Sequence, residues 1–214
     1  MKNVYIFSGL GADERVFQKM NFSEHNVNFL DWILPSKNES IEKYAIKLTK
    51  LIKHEKPILI GLSFGGIIAI EVAKIINTEK IILIASCKNE TEIPIYFRII
   101  GRLKLHKLVP AKLLKIPNFI SFWFFGTQNK EDKKILSEIL KDTDEKFLKW
   151  AIDIIVTWKN RIVHKNTFHI HGISDRILPI AFVKCDIKIK KGGHFMTLNQ
   201  AEELTQIVNN ELKF

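Results

Sequence analysis

Two short runs of the chain, "ILIGL" at 58–62 and "IILIA" at 81–85, are apolar at successive positions. A strand with this pattern needs helices over both faces, because neither side of it can be left in water. Strand-like runs alternate with stretches of helical period, and about six strands can be counted. The alternation predicts an α/β fold with a mostly parallel sheet flanked by helices. The six runs are 4–7, 27–32, 57–63, 80–86, 167–172 and 186–194.

The alternation breaks in the stretch 88–166, where no strand-like run bounded by turns occurs. Three segments there read as helices, and proline residues interrupt them. We therefore predict an α/β core made of residues 1–87 and 167–214, with a helical cap, residues 88–166, inserted between the fourth and fifth strands. The three helical segments are 97–109, 130–142 and 144–160.

Length and composition suit one domain with an inserted lobe in a reducing compartment. The chain has 214 residues, within the usual size of one domain. Its two cysteines, Cys87 and Cys185, form no CxxC pair, so neither a zinc site nor a disulfide framework is indicated. Asp13, Glu14 and Arg15 interrupt the apolar N-terminus before a signal-peptide core could develop. We therefore expect a cytoplasmic protein.

The net charge of +10, from 33 Lys and Arg against 23 Asp and Glu, permits attraction to an acidic partner, to nucleic acid or to an anionic membrane surface. A genome-wide bias in composition would give the same value without any partner. Because no nucleic-acid-binding motif is recognisable, nucleic acid is not an expected partner.

The run "GLSFGG" at 61–66 places a serine between glycines, directly after a buried-strand pattern and before an apolar helix. A serine in such a sharp strand-to-helix turn needs small neighbours, which Gly61 and Gly65 provide. We predict a nucleophile elbow that holds the Ser63 hydroxyl above the sheet and aims the Phe64 N–H at a developing oxyanion. A plain turn is the alternative for this short motif.

A serine nucleophile needs a base and an orienting acid, and the later strand ends supply both. Asp175 follows the fifth run and His194 follows the sixth, giving the chain order Ser, Asp, His. Asp175 could instead be a turn residue or the partner of Arg176, and His194 could merely close a loop. Three histidines around the fifth strand are expected to be structural: His164, His169 and His171.

Acyl transfer also needs a second oxyanion donor, commonly a backbone N–H after the first of these strands. The loop "SGLGA" at 8–12 has the required looseness, and Leu10 is the first choice for that N–H, with Gly11 next. A dinucleotide fingerprint is the alternative, but its third glycine is replaced by Glu14. No cofactor and no metal site are predicted.

Four motifs together resemble the α/β-hydrolase superfamily: "FSGLGADERVF" at 7–17, "GLSFGG" at 61–66, "HGISDRILP" at 171–179 and "GGHF" at 192–195. The resemblance covers nearly the whole chain and implies a helical cap inserted before the acid-bearing strand. Two departures stand out. Ser8-Gly9 replaces the His-Gly often found before the oxyanion donor, and the usual first two strands are absent, which makes this a compact member.

The cap indicates the class of substrate. Between Ile93 and Lys130 the sequence has seven Lys and Arg residues, no acidic residue and a run of aromatic residues. An apolar lining with a basic outer face suits an apolar acyl chain presented by an acidic acyl carrier protein or by an anionic lipid surface. Phe122 and Trp123 are the predicted substrate-binding residues. Alternatively, the aromatics only pack the cap and the lysines solvate it.

The predicted activity is hydrolysis of a carboxylic ester or thioester through an acyl-enzyme formed on Ser63. Two other classes stay open: an enzyme of the same fold that acts on a carbon–carbon bond or as a lyase, and a non-catalytic ligand-binding protein. Asp13 and Arg15 could contact substrate or tie down the loop that precedes them. The oligomeric state is not indicated.

Overall fold

The computed structural model describes residues 1–22 and 24–213. Its strands are β1 Asn3–Phe7, β2 Asn26–Leu30, β3 Ile58–Leu62, β4 Lys80–Ile84, β5 Thr167–Gly172 and β6 Ile187–Ile189. They form one sheet in the order β2-β1-β3-β4-β5-β6, in which every neighbouring pair is parallel. The predicted parallel sheet of about six strands is confirmed.

Helices follow the strands and cover both faces of the sheet. They are α1 Ile41–Thr49, α2 Phe64–Ala73, α3 Ile95–Arg102, α4 Ala111–Leu114, α5 Phe119–Phe125, α6 Lys130–Asp142, α7 Glu145–Thr157, α8 Met196–Asn199 and α9 Ala201–Lys213. Short 3-10 turns lie at Glu14–Phe17, Glu90–Glu92, Leu105–Leu108 and Ile180–Phe182. None of the helices in the two described ranges is long and apolar enough to cross a membrane.

Strand β3 shows why the central runs are apolar at successive positions. Ile58, Ile60 and Leu62 belong to a cluster of buried residues that includes α9, whereas Leu59 belongs to a second cluster formed with α1 and α2. Successive side chains of a strand point to opposite faces, so a strand covered on both sides is apolar throughout. Helix α2 is buried at all ten positions, which explains why it has no polar face.

Helices α3 to α7 lie in the chain between β4 and β5, where the sequence predicts the helical insertion. The last two also pack on the core. Ile135 and Leu136 of α6 belong to the cluster shared with α9, and Phe147 and Ala151 of α7 belong to the cluster shared with α2. The division into a core and a cap stays a prediction.

Two predicted elements are shorter in the structure. The sixth run, expected over 186–194, is a strand only at Ile187–Ile189. The chain turns at Lys190 and Lys191, and Gly192 then packs closely against the backbone of Gly172. The segment 97–109 is split. Helix α3 ends at Arg102, and Lys104 takes a positive φ of 58° before the 3-10 turn at Leu105–Leu108.

Candidate active site

Ser63 lies in the sharp turn between β3 and α2, with φ 52° and ψ −119°. Few non-glycine residues adopt a positive φ, and such strain is concentrated at functional sites. The turn depends on its glycines: a Cβ on Gly61 would lie 2.4 Å from the Cα of Gly66, and a Cβ on Gly65 would lie 2.1 Å from the carbonyl oxygen of Phe7. The predicted need for small residues on both sides of Ser63 therefore has a direct steric cause.

A third glycine of the motif, Gly66, has a role that sequence reasoning missed. A Cβ there would lie 2.2 Å from the Oγ of Ser86, whose hydroxyl donates a hydrogen bond of 2.6 Å to the carbonyl oxygen of Ser63. Ser86 follows β4 and fixes the turn from the neighbouring strand. The doubled glycine was the only sequence signal for this contact.

The ends of three separate strands bring Ser63, His194 and Asp175 together. The Oγ of Ser63 is 2.8 Å from the Nε2 of His194, and the Nδ1 of His194 is 2.8 Å from Oδ2 of Asp175. The other carboxylate oxygen, Oδ1, accepts hydrogen bonds of 2.9 Å from the N–H groups of Ile177 and Leu178. The carboxylate is thus held at both oxygens, and the imidazole is held at both nitrogens.

The ionisation state of Asp175 determines which nitrogen of His194 carries the imidazole proton. Burial alone would raise the pKa of this carboxyl, but attraction to His194 and the hydrogen bond from it hold the pKa below its ordinary value. An ionised carboxylate can only accept a hydrogen bond, so the imidazole proton lies on Nδ1 of His194. Nε2 is then free to accept the hydroxyl proton of Ser63.

His171, predicted to be structural, lies beneath the acid. Its Nε2 donates a hydrogen bond of 2.7 Å to the carbonyl oxygen of Leu178 and lies 3.6 Å from Oδ2 of Asp175. Burial lowers the pKa of His171, so the ring is neutral near pH 7. The contact with Leu178 supports the same turn that donates two N–H groups to Asp175.

The loops that carry Asp175 and His194 pack directly on one another. A Cβ on Gly172 would lie 2.2 Å from the carbonyl oxygen of Gly192, which also accepts a hydrogen bond of 2.9 Å from the N–H of Ser174. This close approach requires glycine on both loops and sets the distance between acid and histidine.

Phe125, at the end of α5, is a site residue that sequence reasoning missed. Its ring lies edge-on to the His194 ring with centroids 5.8 Å apart, and its carbonyl oxygen accepts a hydrogen bond of 3.0 Å from the N–H of Phe195. Four aromatic residues occur in succession at 122–125, and no sequence pattern distinguished the one that reaches the histidine.

The loop after β1 lies beside Ser63. A Cβ on Gly9 would be 3.8 Å from the Cβ of Ser63, and the Gly9 carbonyl oxygen accepts a hydrogen bond of 3.1 Å from the Trp32 indole. The N–H of Leu10 donates to no acceptor in the part of the chain that the structure describes. Phe64 is the first residue of α2, so its N–H has no acceptor within the helix. Two free donors therefore flank the serine turn.

No family model and no curated protein matches this sequence, but solved structures match along the whole chain. An enol-lactonase from Burkholderia xenovorans LB400 is 16% identical with a TM-score of 0.72, covering 100% of this chain and 92% of that one. A thermophilic esterase from Thermogutta terrifontis is 18% identical with a TM-score of 0.70, covering 100% and 90%. An alpha/beta hydrolase fold protein from Burkholderia ambifaria is 13% identical with a TM-score of 0.64, covering 97% and 89%. The chain has the α/β-hydrolase fold.

Asp13 and Arg15 tie down one end of the first loop of this α/β-hydrolase fold. The side chain of Arg15 donates three hydrogen bonds to the Asp13 carboxylate: Nε donates 2.8 Å to Oδ1 and 3.0 Å to Oδ2, and Nη2 donates 2.7 Å to Oδ2. Nη2 also donates a hydrogen bond of 2.8 Å to Asp142 at the end of α6. The hydrogen bonds from Arg15 hold the pKa of Asp13 below its ordinary value. The Thr143 hydroxyl, which donates a hydrogen bond of 2.6 Å to the carbonyl oxygen of Ile139, also lies 3.2 Å from the carbonyl oxygen of Gly11 in the same loop.

The two predicted substrate-binding residues of this α/β-hydrolase fold line a cavity next to the loops that carry Asp175 and His194. Phe122 and Trp123 line a cavity of about 470 Å³ that Arg176 and Gly193 also line. The guanidinium of Arg176 lies 4.4 Å from the Trp123 ring centroid, and it donates a hydrogen bond to the Trp123 carbonyl oxygen. Ser63 is not among the described residues that line this cavity. The role of the two aromatics in binding substrate stays a prediction.

Within residues 1–22 and 24–213, no group of three or more His, Cys, Asp or Glu side chains is placed to hold a metal ion.

Proposed function

We propose that this protein is a serine hydrolase that cleaves a carboxylic ester or thioester with an apolar acyl group. The observation that carries the proposal is the unbroken hydrogen-bond chain from the Ser63 hydroxyl through His194 to Asp175, with both links at 2.8 Å. A serine hydroxyl is a weak nucleophile unless a base removes its proton, and this chain supplies the base and its orienting acid.

In the first step, Ser63 Oγ attacks the acyl carbonyl carbon while Nε2 of His194 takes the hydroxyl proton. The imidazolium that forms is stabilised by the ionised Asp175 at its other nitrogen. His194 then gives the proton to the departing alcohol or thiol, leaving the acyl group on Ser63. In the second step a water attacks this ester, again with His194 as base, releasing the acid and restoring the serine hydroxyl.

The negative charge that develops on the carbonyl oxygen needs donors near Ser63. We assign this role to the N–H groups of Phe64 and Leu10, one at the start of α2 and the other in the adjoining loop. A well-placed donor of this kind lowers the barrier by roughly 3–4 kcal/mol. The support for Leu10 is its unused N–H and the proximity of Gly9 to Ser63.

The proposed compartment is the cytoplasm. Cys87 and Cys185 are both free, which suits a reducing environment. An assay of the protein in cell fractions would test the proposal directly.

The activity test is hydrolysis of p-nitrophenyl esters from acetate to dodecanoate, measured on the wild-type protein and Ser63→Ala. Wild type is expected to turn over with an optimum at one chain length, and Ser63→Ala is expected to lose about 10⁴-fold or more in kcat/KM. The matched control is Ser137→Ala, because the hydroxyl of Ser137 donates its hydrogen bond of 2.7 Å to the Lys133 carbonyl oxygen within α6. Equal activity in Ser63→Ala and wild type would refute the assignment.

A second measurement separates the alternatives. A fluorophosphonate probe labels an activated serine whether or not an ester is the natural substrate, and mass spectrometry locates the adduct. Labelling at Ser63 without hydrolysis of any ester would favour the carbon–carbon or lyase chemistry. If the probe does not label Ser63 and no ester is hydrolysed, the result would favour a non-catalytic binding protein.

A further inference from the structure

Large apolar side chains are exposed mainly in one part of the chain, residues 95–124. Fourteen of the twenty-two large hydrophobic residues exposed in the described structure lie there. Leu108 and Phe119 are 77% and 80% exposed, although transfer of such large apolar side chains out of water is favourable. The fourteen are Ile95, Tyr96, Ile99, Leu103, Leu105, Leu108, Val109, Leu113, Leu114, Ile116, Phe119, Ile120, Trp123 and Phe124.

The packing explains why these side chains are left in solvent. Helix α3, the turn at Leu105–Leu108 and α4 all contact α7, and the approach of α3 is close, since a Cβ on Gly101 would lie 2.2 Å from the carbonyl oxygen of Val156. Each of these short elements packs on α7 with one side, while the side chains listed above stay exposed in the described structure. Helix α5 has no buried residue at all.

The charge of the same stretch has one sign. Between residues 93 and 130 there are seven Lys and Arg residues and no Asp or Glu. Of the six that lie within 95–124, only Lys107 forms an ion pair in the described structure, 3.2 Å from Asp153 of α7. The other five have no acidic partner among the described residues: Arg98, Arg102, Lys104, Lys112 and Lys115.

We propose that residues 95–124 form a docking surface for an anionic lipid bilayer, called here the 95–124 surface. Exposed apolar patches of this kind mark interaction sites. A surface that combines Phe, Trp, Leu and Ile side chains with unpaired Lys and Arg is suited to the boundary between acyl chains and anionic headgroups. The lysine stems can lie along the apolar part while the ammonium groups reach the phosphates.

A lipid surface fits this composition better than an acidic carrier protein does. The basic side chains alone would serve to attract an acidic protein, and the exposed Phe119, Ile120 and Leu108 would then stay in water. In a bilayer interface these side chains are buried, and each of them strengthens binding.

The 95–124 surface adjoins the candidate active site. Trp123 contacts Arg176, the residue after Asp175, and the helix that carries Trp123 ends at Phe125 on the His194 ring. Docking at a bilayer would therefore bring the site next to lipid. The docking proposal does not rest on the proposed catalysis, and Ser63→Ala is expected to bind vesicles as wild type does.

The test is sedimentation of the full chain with vesicles of phosphatidylcholine alone and of phosphatidylcholine mixed with phosphatidylglycerol. We expect binding to the mixed vesicles that high salt weakens, and little binding to phosphatidylcholine alone. Neutralising Arg102, Lys104 and Lys112 to Gln should weaken the partition coefficient by about a hundredfold, since each basic residue contributes roughly a factor of five. The matched control neutralises three exposed lysines elsewhere, Lys43, Lys50 and Lys53.

The apolar part is tested with a second set of variants. Replacing Leu108, Phe119 and Ile120 by Ser should weaken binding to the mixed vesicles by about tenfold or more. The control replaces the exposed Leu34, Ile46 and Leu51 by Ser and should bind as wild type. Circular dichroism of every variant checks that it is folded, so that a misfolded variant is replaced by the corresponding single substitutions.

The outcomes are distinct. No binding to either vesicle overturns the proposal. Binding of the Leu108, Phe119 and Ile120 variant at wild-type strength also overturns it, because adsorption would then be electrostatic alone. Binding to a purified acidic acyl carrier protein, with no binding to vesicles, would replace the bilayer by a protein partner.

Discussion

Gly65 packs so closely on the end of β1 that a Cβ added to it would lie 2.1 Å from the carbonyl oxygen of Phe7. This contact locks the start of α2, and with it the turn that holds Ser63, against the neighbouring strand. Because the obstacle is backbone, it cannot move aside as a flexible side chain could. The serine turn therefore depends on a packing contact as well as on its own conformation.

Gly65→Ala is expected to lower the free energy of unfolding by about 3 kcal/mol or more, since β1 and α2 must separate to admit the methyl group. Urea denaturation followed by circular dichroism measures the change. The control is Gly9→Ala, whose Cβ would meet nothing closer than 3.8 Å, so its midpoint should stay near that of wild type. An unchanged midpoint for Gly65→Ala would contradict the steric argument.

Ser63→Gly should be more stable than Ser63→Ala by about 1–2 kcal/mol, because φ 52° and ψ −119° strain any residue with a Cβ. The comparison removes the hydroxyl in both variants and so isolates the backbone. At Ser137, inside α6, the same pair should show the reverse order, with Gly less stable by about 1 kcal/mol. Thermal unfolding of the four variants measures these differences in stability. If the Gly variant were the less stable at both positions, Ser63 would be unstrained.

Burial of His169 predicts a pH-dependent stability. Desolvation, aided by the neighbouring His171, lowers the pKa of His169 from 6.5 to about 3. Between these values the unfolded chain binds a proton that the folded protein does not, so the free energy of unfolding falls as pH falls. The slope for one such group is about 1.4 kcal/mol per pH unit.

In His169→Leu this contribution should disappear. Its loss of stability between pH 6 and pH 5 should be smaller than that of wild type by about 1 kcal/mol. Urea midpoints at the two pH values give the difference, and subtracting the variant from wild type removes the effect of other titrating groups. Identical pH slopes would mean that His169 is protonated at the same pH in the folded and unfolded states.

Arg15 is expected to matter more for turnover than for stability. It joins Asp13 to Asp142 beside the loop that carries Leu10, and partly exposed ion pairs contribute at most about 1 kcal/mol to stability. Arg15→Ala should therefore lower kcat on the best ester about tenfold, through a looser oxyanion donor, with a small change in urea midpoint. Arg161→Ala, which breaks an exposed pair with Glu90, is the control, and equal kcat values in the two variants would show that Arg15 does not position the loop.

The local sequence pattern was sufficient to predict those features whose physical requirement involves only a short segment of the chain. Strand β3 had to be apolar throughout to be covered on both faces, and the turn at Ser63 had to have glycine on either side. Helix α6 occupies the predicted 130–142 because its amphipathic repeat and its Asn129 cap lie in the same segment. In chain order, the residues at successive strand ends were enough to nominate Ser63, Asp175 and His194.

Contacts between distant segments were decided only by the tertiary structure. Nothing in the sequence of "FWFF" selects Phe125 to face His194, or places the Trp32 indole on the carbonyl oxygen of Gly9. The same holds for Phe122 and Trp123, which line a cavity with Arg176 rather than with Ser63. Which of several similar side chains reaches a site depends on helix rotation and on how segments pack.

The sequence by itself determined the kind of fold and the residues capable of chemistry, because periodicity, glycine spacing and strand-end positions are properties of short segments. The tertiary structure decided the order of strands, the two hydrogen bonds at His194 and the exposure of residues 95–124. These depend on which distant surfaces meet and which are left without a neighbour, and that is settled only when the whole chain is packed.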